Sequence, residues 1–522
     1  MSAADKRVAE AQVIWKKYEK GVTHHHRKDL YESTAQAYRM YEGDQWYGLE
    51  GGEKLPVYNF IQPIVEYKTA MVAMQNIQIF FSPLDTIRPG AMAICDALNR
   101  YARQRWERQK LDSLLWKAVR DACIAGESFL YFYNSNLDCQ ILDNTAVYLG
   151  DEQQPDLQKQ PYIIIYERRL VDDVRAEAKR NGLTAEEIAL IVPDSSLSTV
   201  VGDTEEVDPT EEGGGKCGCL LYLYRGADGF VHIKRSTKDV VYQTDTVLTG
   251  LKRYPLVSFV WMPRKNSARG VGEVQPLVQN QIEANRLLVR RLISAKLNAF
   301  AKPVYVENMI ENPADIDKVG KAIRLRGGNV QRVQDLFSYI APAPMSQEAA
   351  LLSADLLGTT RELAGTGDAV LGMVNPERAS GAAILAVQDQ ASIPINEHIA
   401  AFKQTIEDIA LIWLEIWCAY ERKELWLTEE MDGRMVRQSI PATALRQLEL
   451  SVRVDATAAT PYSRYATEQA VEAARNAGYI TFEEYVEALP AHSIAPKALF
   501  RMILNKRKKE LVQKGMGLDG NG

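Results

Sequence analysis

The chain has 522 residues and a formal net charge of −6, with 46% hydrophobic and 25% charged residues. This length is too great for one hydrophobic core and predicts two or three packed regions, and the composition is ordinary for a globular protein. The negative charge excludes a protein whose whole surface binds nucleic acid, so any contact with DNA must be local or weak.

The first third of the sequence predicts helices followed by strands. Helical spacing of apolar residues predicts helices at 2–20, 30–41, 61–78 and 91–125. Gly126 is a natural end for the last of these helices. β-branched and aromatic runs then predict strands at 128–134, 139–150 and 161–169, and a β-meander at 219–263. The acidic stretch 203–215 ends in three glycines and predicts a solvated insertion between strands.

The second half predicts long helices around a small insert. Apolar residues four or seven apart along 273–300 predict an amphipathic helix about 42 Å long, which Pro303 ends. A compact α/β insert follows, and a second helix from Ser346 runs back from it. The glycine-rich loop after that helix leads into a further helix, in which Pro394 predicts a kink or a break.

Targeting and membrane signals are not evident. The six cysteines are scattered, which predicts reduced thiols in a cytosolic compartment. The charged N-terminus lacks the apolar core of a signal peptide. The most apolar helical window, 411–420, is short and contains Glu415, so we expect no membrane span.

No complete catalytic or metal-binding motif occurs in the sequence. Three adjacent histidines, His24 to His26, cannot all converge on one ion, and a solvated turn is the preferred interpretation. Cys217 and Cys219 lack a second pair at zinc-ribbon spacing. The stretch GGGKCG at 213–218 lacks the first glycine and the Ser or Thr of a phosphate-binding loop. We therefore predict that the chain is not an enzyme and needs no metal or cofactor.

Three segments, in chain order, resemble the portal proteins of tailed bacteriophages. They are YEGDQW at 41–46 followed by PVYNFIQPIVE, RGVGEVQPLVQNQIEANRL at 269–287, and SGAAILA at 380–386. The order of helix, α/β insert, helix, loop and kinked helix also resembles the stem, clip, stem, tunnel loop and wing of that family. The acidic insertion has no assigned counterpart.

The resemblance implies an α+β, predominantly helical and elongated protomer that assembles as a ring. Its regions would be the wing at 1–272 and 379–455, the stem helices at 273–300 and 346–365, the clip at 301–345, the tunnel loop at 366–378, and the crown with a flexible tail at 456–522. The apolar stripes on the stem helices agree with this expectation, because they need neighbouring chains to cover them.

The resemblance also implies the function and the partners. The ring, a dodecamer, would stand at one capsid vertex of the virion and conduct double-stranded DNA during packaging, retention and ejection. The large terminase subunit, a head-tail connector or adaptor protein, and the major capsid and scaffolding proteins would bind it, with assembly in the host cytoplasm. An acidic channel would repel DNA evenly and allow it to slide.

Four sets of site residues follow from the resemblance. The tunnel loop would face DNA through Gly365, Gly367, Asp368, Gly372, Met373, Asn375, Glu377 and Arg378. The first stem helix would line the channel or contact neighbouring subunits through Gln281, Asn285, Arg286, Arg290, Arg291 and Lys296. The clip would dock partners through Glu307, Asn308, Arg324 and Arg326. The crown tail, Lys506, Arg507, Lys508 and Lys509, would touch packaged DNA or simply place cations at a helix end.

Two other classes of protein stay open at this point. One is a DNA-processing enzyme of the packaging machinery, such as a terminase or nuclease, against which the missing phosphate-binding loop argues. The other is a monomeric structural adaptor, which the uncovered apolar stripes disfavour.

Overall fold

A computed structural model gives the fold, and helix makes up 54% and strand 22% of it. These proportions confirm the predicted α+β, predominantly helical class. The described residues are 3–46, 55–84, 90–194, 215–299, 302–305, 307–316, 318, 320–326, 337–340, 347–365, 393–420, 424–431, 434–448, 450–458, 469, 471–489, 497, 499–500, 502–504 and 506–507. The chain divides into two compact units, of residues 1–69 with 109–422 and of residues 70–108 with 423–522.

The helices and strands are numbered here in chain order. The helices are α1 (Ala3–Arg27), α2 (Leu30–Glu42), α3 (Ile61–Ala73), α4 (Ala91–Arg108), α5 (Leu111–Ala125), α6 (Val171–Arg180), α7 (Ala185–Ala189), α8 (Val274–Ala299), α9 (Gln347–Leu363), α10 (Asn396–Tyr420), α11 (Ala442–Gln447) and α12 (Phe482–Ala488). The strands are β1 (Gln75–Pro83), β2 (Glu127–Phe132), β3 (Cys139–Leu142), β4 (Val147–Leu149), β5 (Tyr162–Leu170), β6 (Lys216–Arg225), β7 (Val231–Ser236), β8 (Val241–Leu248), β9 (Leu256–Val260), β10 (Met262–Pro263), β11 (Gly270–Val271), β12 (Lys302–Tyr305), β13 (Phe337–Ile340), β14 (Glu424–Met431), β15 (Arg434–Pro441) and β16 (Leu450–Ala458).

A five-stranded antiparallel sheet forms the centre of the first unit, with the strand order β4-β5-β6-β7-β8. Its side chains alternate between two buried faces, as antiparallel strands covered on both sides require. On one face, Ile164 and Tyr222 pack with Tyr18 of α1. On the other face, Ile163 and Leu223 join a cluster that includes β2 and β9. The sheet therefore fixes α1 on one side and the three-stranded sheet β3-β2-β9 on the other.

The second unit is built on a different set of strands. β1 pairs antiparallel with β16, and β14 pairs antiparallel with β15. Within this unit α4 packs on β1, and Asn99 holds the strand because Phe81 N donates to its Oδ1 at 2.7 Å. Inward-facing Leu425 and Leu427 of β14 are buried.

Three sequence predictions about element boundaries are wrong. The helix predicted at 91–125 is interrupted, because Lys110 adopts a left-handed backbone conformation (φ 51°) that separates α4 from α5. The helix predicted at 61–78 ends at Ala73, and the chain continues as β1. The histidines expected in a solvated turn lie in the last turn of α1, and His25 is buried.

The long helix predicted at 273–300 is α8, and Pro276 is tolerated because it lies in the first turn. The insert after it contains the antiparallel pair β12–β13. α9 then runs from Gln347 to Leu363 and packs against α8. Pro394 lies in a 3-10 turn immediately before α10 rather than within a helix of the described residues.

Candidate functional site at the base of helix α8

The segment RGVGE, residues 269–273, leads into α8 and carries a buried arginine. The Nε and Nη2 atoms of Arg269 each donate to one carboxylate oxygen of Glu152, both at 3.0 Å. Its Nη1 donates to the Asn144 carbonyl at 3.0 Å, and its Nη2 donates to the Val147 carbonyl at 2.6 Å. Glu127 lies 3.4 Å from Nη1. This guanidinium therefore joins the segment before α8 to β2, β4 and the turns around them.

His25 of α1 completes this cluster. Its Nε2 lies 3.0 Å from Arg269 Nη2 and 3.4 Å from Glu152 Oε1. Its ring stacks on Tyr148, with centroids 4.6 Å apart and planes at 16°. Burial lowers the pKa of His25 to about 4. The Glu152 carboxylate acts in the opposite direction, and the positive charge of Arg269 lowers the pKa further. His25 is therefore neutral at pH 7.

Glycines let the backbone segments around Arg269 approach each other closely. Gly126 has a φ of 109°, and a Cβ added to it would lie 2.9 Å from the carbonyl carbon of Gly270. A Cβ on Gly270 would collide with the carbonyl oxygen of Gly126, and one on Gly272 would collide with that of Ile124. The end of α5 and the start of α8 are therefore in direct backbone contact, which only glycine permits here.

Glu273, the last residue before α8, forms a second buried ion pair. Its Oε1 lies 2.6 Å from Lys68 Nζ, and Trp261 Nε1 donates to its Oε2 at 3.3 Å. His398, in the first turn of α10, stacks on Trp261 with centroids 4.2 Å apart and places Nδ1 2.9 Å from its carbonyl oxygen. Burial lowers the pKa of His398, so its neutral imidazole donates this bond. The starts of α8 and α10 thus meet at Trp261.

Gln281 and Asn285 bind the N-terminal segment rather than facing outward. The backbone amides of Phe60 and Tyr58 donate to Gln281 Oε1 at 3.1 Å and to Asn285 Oδ1 at 3.0 Å. Gln281 Nε2 donates to the Tyr58 carbonyl at 2.9 Å, and Asn285 Nδ2 donates to Gln45 Oε1 at 2.5 Å. Both side chains are buried within one chain. Within one chain they join α8 to Gln45, Tyr58 and Phe60. Their role as residues that line the channel or contact neighbouring subunits stays a prediction.

The second half of α8 is more exposed than the first. Arg286 lies 2.5 Å from Glu283 on the same helix, and both side chains are about half exposed. Arg290, Arg291 and Lys296 are exposed as well. The large apolar side chains here are also exposed: Leu292 at 41%, Ile293 at 52% and Leu297 at 42%. On α9, Leu351, Leu352 and Leu363 are 69%, 57% and 78% exposed.

The clip residues of the prediction lie in a turn-rich region. Glu307 and Asn308 belong to a 3-10 turn. The backbone amide of Arg324 donates to Asn312 Oδ1 at 2.8 Å, and that of Arg326 donates to the Met309 carbonyl at 2.9 Å. The side chains of Asn308, Arg324 and Arg326 are exposed, so the structure brings three cationic or polar groups to one surface region around Asn312.

The remaining predicted site residues are only partly described. Gly365 follows α9 with a φ of 68°, and its amide donates to the Glu362 carbonyl at 2.9 Å. Lys506 and Arg507 are exposed. The others lie outside the described residues: Gly367, Asp368, Gly372, Met373, Asn375, Glu377, Arg378, Lys508 and Lys509. The acidic stretch 203–214 and the segment 380–386 also lie outside them.

Metal-binding clusters and membrane-spanning helices are both absent from the described part of the chain. Within it, no three His, Cys, Asp or Glu side chains are grouped so that they could hold a metal ion. Among its helices, none combines the length and the apolar character needed to cross a membrane.

We predict that Arg269→Ala lowers the free energy of unfolding by about 3–5 kcal/mol, because it leaves Glu127 and Glu152 buried without their cation. The control Arg286→Ala removes an exposed pair and should cost less than about 0.5 kcal/mol. Urea titrations at pH 7 measure both. Equal losses for the two variants would contradict the assignment of Arg269 as the central contact.

We predict that His25→Gln weakens the acid sensitivity of the fold. A histidine whose pKa is about 4 in the folded chain and about 6.5 when unfolded costs stability as pH falls between these values, because only the unfolded state binds the proton. In the wild type, protonation of this group in the unfolded state lowers the free energy of unfolding by about 3 kcal/mol over this pH range. Unfolding free energies at pH 7 and pH 4.5 test this, with the exposed His26→Gln as the control. A variant with unchanged acid sensitivity would refute the prediction.

Comparison with known proteins assigns this region to a family. Residues 233–483 match the family model of the phage P22-like portal proteins. This range includes the RGVGE segment, all of α8 and α9, and α10. No curated protein matches the chain. The portal family is structural and non-enzymatic. Through residues 233–483, just under half of its length, the chain is thus similar to the phage P22-like portal proteins.

Proposed function

We propose that copies of this chain form a ring at one capsid vertex and that double-stranded DNA passes through its channel during packaging, retention and ejection. The observation that carries the proposal, beside the family, is the uncovered outer surface of the α8–α9 pair. Six large apolar side chains on these helices are between 41% and 78% exposed. Apolar side chains grouped in this way on a pair of helices are typical of protein interfaces.

The pattern of burial along α8 supports a ring more than a free monomer. The first half of the helix is anchored within the chain, through Gln281, Asn285 and their partners. The outer half, beyond Arg286, contributes apolar and cationic side chains to the surface. A heterologous contact between equivalent helices of adjacent copies would cover these side chains, and such contacts close into rings when the rotation permits. The ring we propose is a dodecamer.

The cationic residues of the outer half would act between subunits. Arg290, Arg291 and Lys296 are exposed, and the whole chain carries a net charge of −6. In a ring these cations would meet acidic side chains of the next copy, or would lie at the channel surface. Pairing with acids is the preferred arrangement, because a strongly cationic channel would bind the phosphate backbone and hinder sliding.

We propose the same docking roles for the clip as the resemblance implies. The large terminase subunit and, after packaging, a head-tail connector or adaptor would bind around Asn308, Arg324 and Arg326, with Glu307 nearby. Exposed apolar side chains in the same region, Met309, Ile323 and Leu325, support an interaction surface there. The major capsid and scaffolding proteins would contact the ring during assembly in the host cytoplasm, and the mature ring would remain in the virion.

The proposed DNA contacts come from two segments. The loop 366–378 would face the moving duplex through its glycines, Asp368, Met373, Asn375, Glu377 and Arg378. The basic tail at 506–509 would contact DNA inside the capsid. In this scheme 1–272 and 379–455 form the wing, 273–300 and 346–365 the stem, 301–345 the clip, and 456–522 the crown with its tail.

We predict that Ile293→Glu combined with Leu297→Glu prevents ring formation without unfolding the chain. Charges placed in an apolar interface would lose their hydration without gaining partners. Native mass spectrometry and end-on electron microscopy measure assembly, and circular dichroism checks folding. The control Val13→Glu changes a 56% exposed residue of α1 and should still form rings. Wild-type chains that stay monomeric under all assembly conditions would favour the adaptor alternative, and DNA or nucleotide hydrolysis would favour the enzyme alternative.

We predict that deleting residues 366–378 reduces the amount of packaged or retained DNA several-fold while rings still form, because the proposed loop contacts the duplex and not the neighbouring stem. Protection of DNA from nuclease in assembled particles measures packaging. Rings of unchanged size in electron micrographs serve as the internal control. Normal packaging and retention by the deleted protein would refute the role of the loop.

A further inference from the structure

The exposed parts of α8 and α9 carry opposite charges. Between Asn285 and the end of α8 at Ala299, every charged residue is an arginine or a lysine, and all of them are exposed. Among the described side chains of α9, the exposed charged ones are Asp355 and Glu362, and both are acidic. The uncovered surface of this helix pair is therefore cationic on one helix and acidic on the other.

The contact between the two helices fixes their relative direction. Near the base of the pair, Asn280 Nδ2 of α8 donates to Thr360 Oγ1 of α9 at 3.2 Å, and Thr360 is buried. At the far end, β12 follows α8, β13 precedes α9, and these two strands pair with each other. The helices therefore run in opposite directions, and Asn280 and Thr360 mark a common level.

Each helix has one exposed stripe in which charged residues lie nearer the base and apolar residues lie further out. The members of each stripe are spaced four, three and four positions apart, which places them on one side of a helix. They are Arg286, Arg290, Ile293 and Leu297 on α8, and Glu362, Gly358, Asp355 and Leu351 on α9. Neither stripe is in helical register with Asn280 or Thr360, so both lie off the sides through which α8 and α9 contact each other at the base.

The levels of the charged residues match between adjacent copies in a ring. At 1.5 Å per residue, Arg290 lies about 15 Å beyond Asn280, and Asp355 lies about 8 Å from Thr360 in the same direction. Rotation about the ring axis leaves these levels unchanged when the helices run along that axis. Helical side chains lean toward the N-terminus of their helix. Because α8 and α9 are antiparallel, Arg290 leans toward the base and Asp355 leans away from it, so the two side chains approach each other.

The apolar residues have the same offset. Ile293 lies about 20 Å beyond Asn280, and Leu351 lies about 14 Å from Thr360. Both side chains are exposed within one chain. A register that brings Arg290 to Asp355 therefore also brings Ile293 to Leu351, and their contact would remove apolar surface from water.

We propose that α8 of one copy packs against α9 of the next copy, with Arg290 opposite Asp355 and Ile293 opposite Leu351. This inference rests on the proposed ring and names the contact that builds it. The two surfaces differ, so the contact is heterologous and repeats around a closed ring. A two-fold contact between two α8 stripes would instead bring arginines together, and like charges across an interface are unfavourable.

Two charge-reversed variants test the pairing between chains. Arg290→Asp and Asp355→Arg each place like charges in every contact, so each alone should need about ten-fold more protein or higher concentrations still to form rings. In an equimolar mixture the two variants can alternate, and every contact then holds one acid and one cation. We expect the mixture to form rings with equal numbers of both variants. Native mass spectrometry counts them, because their masses differ.

A matched control uses the other acidic residue of the same stripe. Glu362 lies about 18 Å from the level of Arg290, so Glu362→Arg should not bring Arg290→Asp into rings when the two variants are mixed. Circular dichroism checks the folding of each variant. If a reversed charge unfolds the chain, Arg290→Gln and Asp355→Asn replace it: each should weaken assembly, and the double variant should assemble no worse than either single one.

The outcomes distinguish this contact from the ring itself. Wild-type chains that form no ring would overturn the proposed function and this inference with it. If the wild type forms rings, single variants that assemble normally would overturn the pairing alone. So would a mixture that fails to assemble, or mixed rings in which the numbers of the two variants are unequal.

Discussion

The interaction on which this structure depends is the buried guanidinium of Arg269. Taking an arginine out of water costs several kcal/mol and is tolerated only when its donors are matched and its charge is balanced. Here Glu152 binds it through both oxygens, Glu127 lies beside it, and two backbone carbonyls accept its remaining hydrogens. These partners come from separate parts of the chain. The positions of α1, β2, β4 and the segment before α8 therefore depend on one another.

With these contacts, the start of α8 is held firmly within the chain. The glycine contacts bring its backbone against α5, Glu273 pairs with Lys68, and the amides of Gln281 and Asn285 hold residues 58 and 60. The same helix beyond Arg286 has almost no buried side chains. A helix that is rigidly held at one end and uncovered at the other is suited to contribute its free half to an assembly, in keeping with a family of structural proteins.

The sequence predicted the elements that depend on local pattern. The apolar stripe of α8 and the alternating strands of the central sheet could be predicted because both are repeats of apolar residues within short stretches of sequence. The break at Lys110 was not predicted, because an ordinary helix-forming residue gives no sign of a left-handed conformation. β1 was missed because β16, its partner, lies far along the chain. The RGVGE motif was noticed only as a resemblance, and its buried charges depend on partners that no local pattern reveals.

The contact between Tyr58 and Asn285 joins residues 227 positions apart. On a ribosome that adds about 5–20 residues per second, the earlier segment waits roughly 10–45 s before its partner emerges. During that interval the backbone amides of Tyr58 and Phe60 lack their acceptors, the side chains of Asn285 and Gln281. The exposed half of α8, which the proposed ring would use, is synthesised only after Gln281 and Asn285. In the proposed ring, contacts through this half of α8 would therefore form only after the residues that anchor the helix within its own chain have been made.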